Sequence, residues 1–350
     1  MRPHRLTTAC ALSAAVLALG ACSSGATDEA ASTTTSATAT SGSAGTNAGT
    51  GGSSGSSGSA AADADSGEFV ALAYNVAGLP EVLSGSEPAT NMPQIGPKLN
   101  AYDLVLVQES WKTPDPNPYA PMRGYHEELE ATSELEHRST PATQPLGTDA
   151  TRPEALLADG LNRFSRFAFG DVTRVRWEGC FGGADTSDRG AADCLATKGF
   201  SVATTTLADG VEVDVYNLHA EAGSSDRDQE LQAADFAQLA AFINEHSAGK
   251  AIILGGDTNL HTDEVPENPQ DEADAGIWET FLADTGLSDV CTTLDCPEPG
   301  RIDKFAYRSG GGVTLEPLSW NFETDVFVRD DGEPLSDHEA LAVRFSWQRD

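Results

Sequence analysis

The run Ala251-Ile252-Ile253-Leu254-Gly255-Gly256-Asp257-Thr258-Asn259 sets the architecture of this chain. A short apolar stretch of this kind reads as a buried strand, and the glycines behind it allow a tight exit. The acid and the amide then stand at the strand's end rather than along its face. Outward from this run the same arrangement recurs. Tyr74-Asn75-Val76 closes the apolar stretch Phe69–Val76, and Val107-Gln108-Glu109-Ser110 follows Leu104–Val107. Asn217-Leu218-His219 closes Val211–Leu218, Arg301-Ile302-Asp303-Lys304-Phe305 opens Ile302–Tyr307, and Ser336-Asp337-His338 precedes Leu341–Trp347.

Leu161–Phe169, Val172–Trp177, Phe200–Leu207 and Thr324–Val328 read as further strands, and Asp209-Gly210 is a hairpin signal. Residues 226–246 read as a helix, because Phe236, Leu239, Ala240 and Ile243 share one face and Ser225 or Asp226 can cap its start. Weaker helical stretches lie at 91–100 and 277–282. Residues 111–153, rich in Pro, Thr and Glu, read as a long loop with some helix. Together these predict an α/β fold: a four-layer α-β-β-α sandwich of two mainly antiparallel sheets flanked by helices. Such sheets can bring strand ends to one edge, where the six motifs would line a polar pit.

Taken singly, each motif has an ordinary structural use. Asn75 suits a turn, Glu109 a strand-end surface acid, His219 a core histidine, and Asp337-His338 a helix cap with a surface imidazole. Jointly and in this order they resemble the endonuclease/exonuclease/phosphatase superfamily. That superfamily includes deoxyribonuclease-I-like nucleases, inositol polyphosphate phosphatases and bacterial sphingomyelinases. The resemblance covers residues 69–347 and rests on Gly256-Asp257-Thr258-Asn259, Ser336-Asp337-His338 and the upstream Gln108-Glu109. Two positions depart from the pattern: the usual Thr-His is Leu218-His219, and the usual aromatic after the Arg-Ile-Asp aspartate is Lys304.

The resemblance implies metal-dependent hydrolysis of a phosphodiester. It casts His338 as the base that activates water, Asp303 as the acid that holds its ring, and Asp257 as the group that orients the water. Asn259 and His219 would donate to the developing phosphorane oxygens. Glu109, with Asn75 and Asp337, would hold Mg²⁺, or Mn²⁺ or another divalent cation. The chemistry asks for the same residue types independently. A hard cation prefers carboxylate and amide oxygens, and an imidazole can take a proton near neutral pH. Asn217-Leu218-His219-Ala220-Glu221 and Lys198-Gly199-Phe200 look most like the sphingomyelinase and phospholipase-C-like branch. A lipid-head-group phosphodiester is then the expected substrate, bound by Lys198, Asn259 and His219. A secreted nuclease or a phosphate-scavenging phosphomonoesterase is the alternative. A non-catalytic binding protein on the same scaffold is the alternative of another class.

Charge narrows the partners. The chain carries 54 acidic and 21 basic residues, a net of −33, so it lacks the broad basic surface that attracts nucleic acid. Anionic membranes would repel it as well, whereas a zwitterionic choline lipid would not. Adaptation to high salt would give the same composition. Trp177, Trp278, Trp320 and Trp347 are expected in core or rim packing.

The N-terminus reads as an address. Arg2 and Arg5 precede the apolar run Ala9–Leu19, which is short for a membrane span and suits a signal-peptide core within residues 1–21. Leu19-Gly20-Ala21-Cys22 resembles a bacterial lipobox, which implies cleavage before Cys22 and lipid attachment to it. Residues 22–67, nearly all Ser, Thr, Gly and Ala, read as a disordered tether with a reach on the order of 35–40 Å. Residues 68–350 then form one catalytic domain. It is expected to be monomeric, exported and held at the outer face of the cell membrane. The four later cysteines, Cys180, Cys194, Cys291 and Cys296, allow three pairings. The local pairs Cys180–Cys194 and Cys291–Cys296 are the simplest, and an exported domain favours disulfides.

Overall fold

The computed structural model describes residues 64–79, 86–112, 125–143, 150–183, 192–262 and 269–350. The expected signal peptide, Cys22 and nearly all of the tether lie outside these residues. Strand β1 (Ser66–Asn75) begins two residues ahead of the expected domain start at Glu68. Helix α1 (Pro88–Leu99) then leads to β2 (Leu104–Gln108), which runs parallel to β1. Next come α2 (His126–Thr132), β3 (His137–Arg138), β4 (Asn162–Ser165) and β5 (Thr173–Arg176). Strands β6 (Gly199–Ala208) and β7 (Val211–His219) pair as a hairpin, and α3 (Asp226–His246) carries the chain to β8 (Ile252–Asp257), parallel to β7. The chain closes with α4 (Pro269–Thr285), β9 (Ser288–Asp289), α5 (Val290–Leu294), β10 (Asp303–Arg308), β11 (Val313–Phe322) and β12 (Leu341–Arg349).

Among the described residues the strands form two six-stranded sheets, β11-β12-β1-β2-β4-β3 and β5-β6-β7-β8-β10-β9. Each holds one parallel pair, reached through a helical crossover as parallel pairing requires, and antiparallel pairs elsewhere. Strand alternation explains the layers. Ala71, Ala73, Leu104 and Leu106 meet Val213, Val215, Ile253, Phe305 and Phe345 between the sheets. Leu72, Tyr74, Val105 and Val107 point the other way and bury against Met92, Ile95 and Leu99 of α1 and Leu129 of α2. Tyr216, Leu218, Ile252 and Leu254 cover Phe236, Leu239 and Ile243 of α3 with Trp278 and Phe281 of α4. The result is the expected four-layer sandwich.

Helix α3 has the predicted bounds. Ser225 is its cap: the Oγ accepts from the Asp228 N–H at 3.3 Å, and the Asp228 carboxylate accepts from the Ser225 N–H at 2.9 Å. Three expectations are corrected. Thr324–Val328 is turn, with only Val328 bridged to Pro334, and the strand lies earlier, at β11. Pro317 hides β11 in the sequence, but an edge strand tolerates proline, and the register shifts between Pro317 and Ser319. Leu161–Phe169 is not one strand. It pairs with β2 only over Asn162–Ser165, and Phe169 crosses to Thr205 in the other sheet. The helix expected at 277–282 runs from Pro269 to Thr285, with Asp271 and Glu272 in its first turn, where the helix dipole favours acids. Both local disulfides, Cys180–Cys194 and Cys291–Cys296, are present. Trp177, Trp278 and Trp347 are buried.

Candidate active site

The alternation that builds the inter-sheet core also builds the site. Ala71 and Ala73 face inward, so Asn75 does too. Leu106 is followed on the same face by Gln108, Val215 by Asn217 and His219, Ile253 by Asp257, and Phe305 is preceded by Asp303. Register aligns these ends: Asn75 lies opposite Gln108, and Asp257 opposite both His219 and Asp303. The apolar core therefore turns polar at one edge of the sandwich. Gly256, at φ 147°, lets β8 approach β7 there, since a Cβ would sit 2.2 Å from the Leu218 carbonyl oxygen.

Asn75 stands at the centre. Its Nδ2 lies 3.1 Å from Glu109 Oε1, 3.1 Å from Asp257 Oδ2 and 3.4 Å from His338 Nε2. Its Oδ1 accepts from the Ala77 N–H at 3.1 Å, so the groups it turns toward the pit are N–H donors. His338 Nδ1 lies 2.8 Å from Asp303 Oδ2, and its Nε2 is 3.7 Å from Asp257 Oδ2. His219 Nε2 lies 3.4 Å from Asp257 Oδ2 and 3.9 Å from Glu109 Oε1. Asn259 donates its backbone N–H to Asp257 Oδ1 at 3.0 Å and one Nδ2 hydrogen to the Ala220 carbonyl at 3.0 Å. Ser336 fastens the last loop to the first strand, donating its hydroxyl to the Asn75 carbonyl at 2.7 Å. Asp337 is exposed at the rim.

The charges divide the two histidines. Burial alone would lower the pKa of His338, but Asp303 and Asp257 outweigh it and hold the ring well above its ordinary value. Burial and the Lys198 ammonium push His219 down to about 3, so it is a neutral ring. Burial pushes Glu109 up to about 7, against the pull of Lys198 and the Asn75 N–H, and the Asp337 carboxylate adds to the rise. A buried carboxylate raised in this way, with a second carboxylate beside it, is the environment a cation relieves. The oxygens of Glu109 and Asp337 are hard donors that suit Mg²⁺. Asp257, Asp303 and His338 form a second group whose ligand atoms lie within 4.8 Å of one another, but there His338 is already bound to Asp303.

Lys198 and Lys304 behave differently. The Lys198 ammonium pairs with the buried Asp193 and donates to the Ala220 carbonyl at 3.3 Å, next to the loop that follows His219. Lys304 lies one residue beyond Asp303 and so faces away from the pit. Its Nζ donates to Thr262 Oγ1 at 2.8 Å, to the Pro299 carbonyl at 3.2 Å and to the Arg301 carbonyl, so it braces a loop. Three contacts support these residues. Gln108 Nε2 donates to Asn217 Oδ1 at 2.7 Å across the two sheets, Trp177 Nε1 donates to the His219 carbonyl at 2.8 Å, and Asp193 anchors Lys198. Gln108 and Asn217 stand in two of the six motifs, and their inward parity is the signal for the first; Trp177 and Asp193 stand in none.

No protein-family model matches the chain. Proteins named sphingomyelinase from Mycobacterium bovis and Mycobacterium tuberculosis are 33% identical to it over 295 residues, 82% of this chain and 54% of each relative. The chain thus spans about half the length of these relatives. Among solved structures, an endonuclease/exonuclease/phosphatase protein from Beutenbergia cavernae superposes with a TM-score of 0.53 at 18% identity, covering 79% of this chain and 71% of that one. Sphingomyelinase C from Streptomyces griseocarneus gives 0.50 at 16%, covering 79% and 99%. A Staphylococcus aureus beta toxin variant with bound magnesium ions gives 0.50 at 14%, covering 79% and 99%. At these identities the structures speak for the fold alone.

Proposed function

We propose that this chain belongs to the endonuclease/exonuclease/phosphatase superfamily, whose fold it shares, and that it is a Mg²⁺-dependent phosphodiesterase acting on a sphingomyelin-type lipid head group. The observation that carries this reading is the convergence of Asn75, Glu109, His219, Asp257, Asp303 and His338 on one pit. The 33% identical relatives named sphingomyelinase support the substrate class.

Glu109 and Asp337 would hold the cation, with Asn75 fixing the Glu109 carboxylate. Bound there, Mg²⁺ would neutralise phosphoryl oxygens and favour attack on the phosphorus. His338 Nε2 takes the proton of the attacking water. Asp303 accepts the hydrogen on Nδ1, which fixes the tautomer and stabilises the imidazolium as it forms. Asp257 Oδ2, 3.7 Å from that Nε2, aligns the water. His219, neutral, turns its one N–H, on Nε2, to Asp257 and so fixes that carboxylate, and the second Nδ2 hydrogen of Asn259 donates to the oxygens that gain charge. The test is a panel of sphingomyelin, phosphatidylcholine, plasmid DNA and an inositol phosphate, each with Mg²⁺ and with EDTA. Phosphocholine release from sphingomyelin should be fastest and EDTA should abolish it. DNA cleavage as the fastest reaction would overturn the substrate assignment.

His338 acts as a base only when unprotonated, so kcat/KM should rise with pH as the ring loses its proton. Asp303 raises that pKa. Asp303→Asn should therefore shift the rising limb to lower pH and lower its plateau, measured at saturating Mg²⁺. A limb that stays in place would remove Asp303 from this role. The reading also includes export and anchoring through Cys22, supported by the sequence alone. Palmitate labelling in a bacterial host should mark the wild-type chain and be lost in Cys22→Ser; equal labelling of both would exclude the anchor.

A further inference from the structure

Glu109 is held against its own backbone preference. Its φ of 56° is left-handed, a conformation that costs a residue with a Cβ about 1–2 kcal/mol, so its neighbours must fix it. Its carbonyl accepts from the Gly78 N–H at 3.1 Å, and a Cβ at Gly78 would lie 2.1 Å from that oxygen. On the other side Ser110 is bound at all three polar groups. Its N–H donates to the Gly160 carbonyl at 3.0 Å, its carbonyl accepts from Asn162 Nδ2 at 2.8 Å, and its Oγ lies 2.8 Å from His126 Nδ1.

His126 is an unusual choice for that place. It is 2% exposed and lies over the Phe164 ring, with centroids 6.0 Å apart. Burial pushes its pKa down to about 4, so it is uncharged at neutral pH. Its Nε2 has no hydrogen-bond partner, with Glu130 Oε2 3.8 Å away. An apolar residue at the start of α2 would pack against Phe164 without the desolvation cost of an imidazole. The one hydrogen bond among the described residues that sets His126 apart from such a residue is its bond to the hydroxyl next to Glu109.

We propose that His126 is a positioning residue that, through Ser110, keeps the Glu109 carboxylate turned into the pit as a cation ligand. This rests on the reading of Glu109 as that ligand. The test measures Mn²⁺ dissociation constants by calorimetry for wild type, His126→Leu, His126→Asn, Ser110→Ala and the Leu/Ala double variant, with thermal melts of each. His126→Leu and Ser110→Ala should weaken Mn²⁺ binding about ten- to hundredfold. The double variant should be no worse than either single one, because both break the same bond. His126→Asn, whose amide can reach the same hydroxyl, should stay within a few-fold of wild type. If His126→Leu melts below the assay temperature, Ser110→Ala, the smaller change, decides alone. Unchanged Mn²⁺ affinity in folded His126→Leu and Ser110→Ala overturns the proposal and leaves the cation reading standing. A wild type that binds no Mn²⁺ overturns the cation reading, and the proposal with it.

Discussion

Alanine at position 338 should lower turnover on every accepted phosphodiester by about 10²–10⁴-fold while the protein stays folded. The size follows from the loss of a positioned proton acceptor, equivalent to about 3–5 kcal/mol of barrier. His338 Nε2 reaches the pit beside Asn75 and Asp257, and the second imidazole of the pit cannot replace it. His219 is neutral, but its Nε2 hydrogen faces Asp257 and its Nδ1 is buried without a partner. The side chain of His338 is 16% exposed and lies at the rim of the sandwich, so its removal opens little core. The Asp303 carboxyl left behind, 4% exposed, can take a proton instead of remaining a buried charge. Raising Mg²⁺ should not restore activity, whereas added free imidazole should restore part of it. A folded His338→Ala protein with turnover within a few-fold of wild type would remove the base from the account.

Glu109→Gln should produce a different failure. Losing the carboxylate should weaken Mg²⁺ affinity and lower turnover by about 10²-fold or more, several kcal/mol of charge stabilisation, and excess Mg²⁺ should recover part of it. Stability separates the two variants further. The folded pKa of Glu109, about 7, lies above its unfolded value. Its burial cost is therefore absent below pH 4.5 and grows as pH rises toward 7, to on the order of 3 kcal/mol in the cation-free protein. Glutamine has no such charge. At pH 8 in EDTA the variant should melt higher than wild type, and saturating Mg²⁺ should narrow or reverse the difference. A variant that melts lower than wild type in EDTA would show that the carboxylate is satisfied by the protein alone.

The sequence disclosed the site better than it disclosed the edges of the fold. Asn75, Glu109, His219, Asp257, Asp303 and His338 each stand close to where an apolar run ends or begins. Inward parity then carries most of them into the space between the sheets, so local pattern was enough to group them. Helix α3 was legible for a similar reason, its apolar face and Ser225 cap both being local. Strand β11 was not, because Pro317 and the polar residues around it are tolerated only at a sheet edge, which is a tertiary fact. The supports were the least legible. Gln108 finds Asn217 109 residues away, and Asn75 finds Asp257 182 residues away. The choice of His126 for Ser110 depends on where α2 docks. Lys304, which departs from the family pattern, proves to face away from the pit, a consequence of one step along β10.

Crystals of the wild-type chain soaked in Mn²⁺ and measured at the manganese absorption edge test the central claim most directly. Anomalous density should appear within coordination distance of the Glu109 carboxylate, in the pit lined by Asn75, Asp257 and His338. Density only at remote surface acids, with the Glu109 carboxylate bound to protein groups alone, would contradict it.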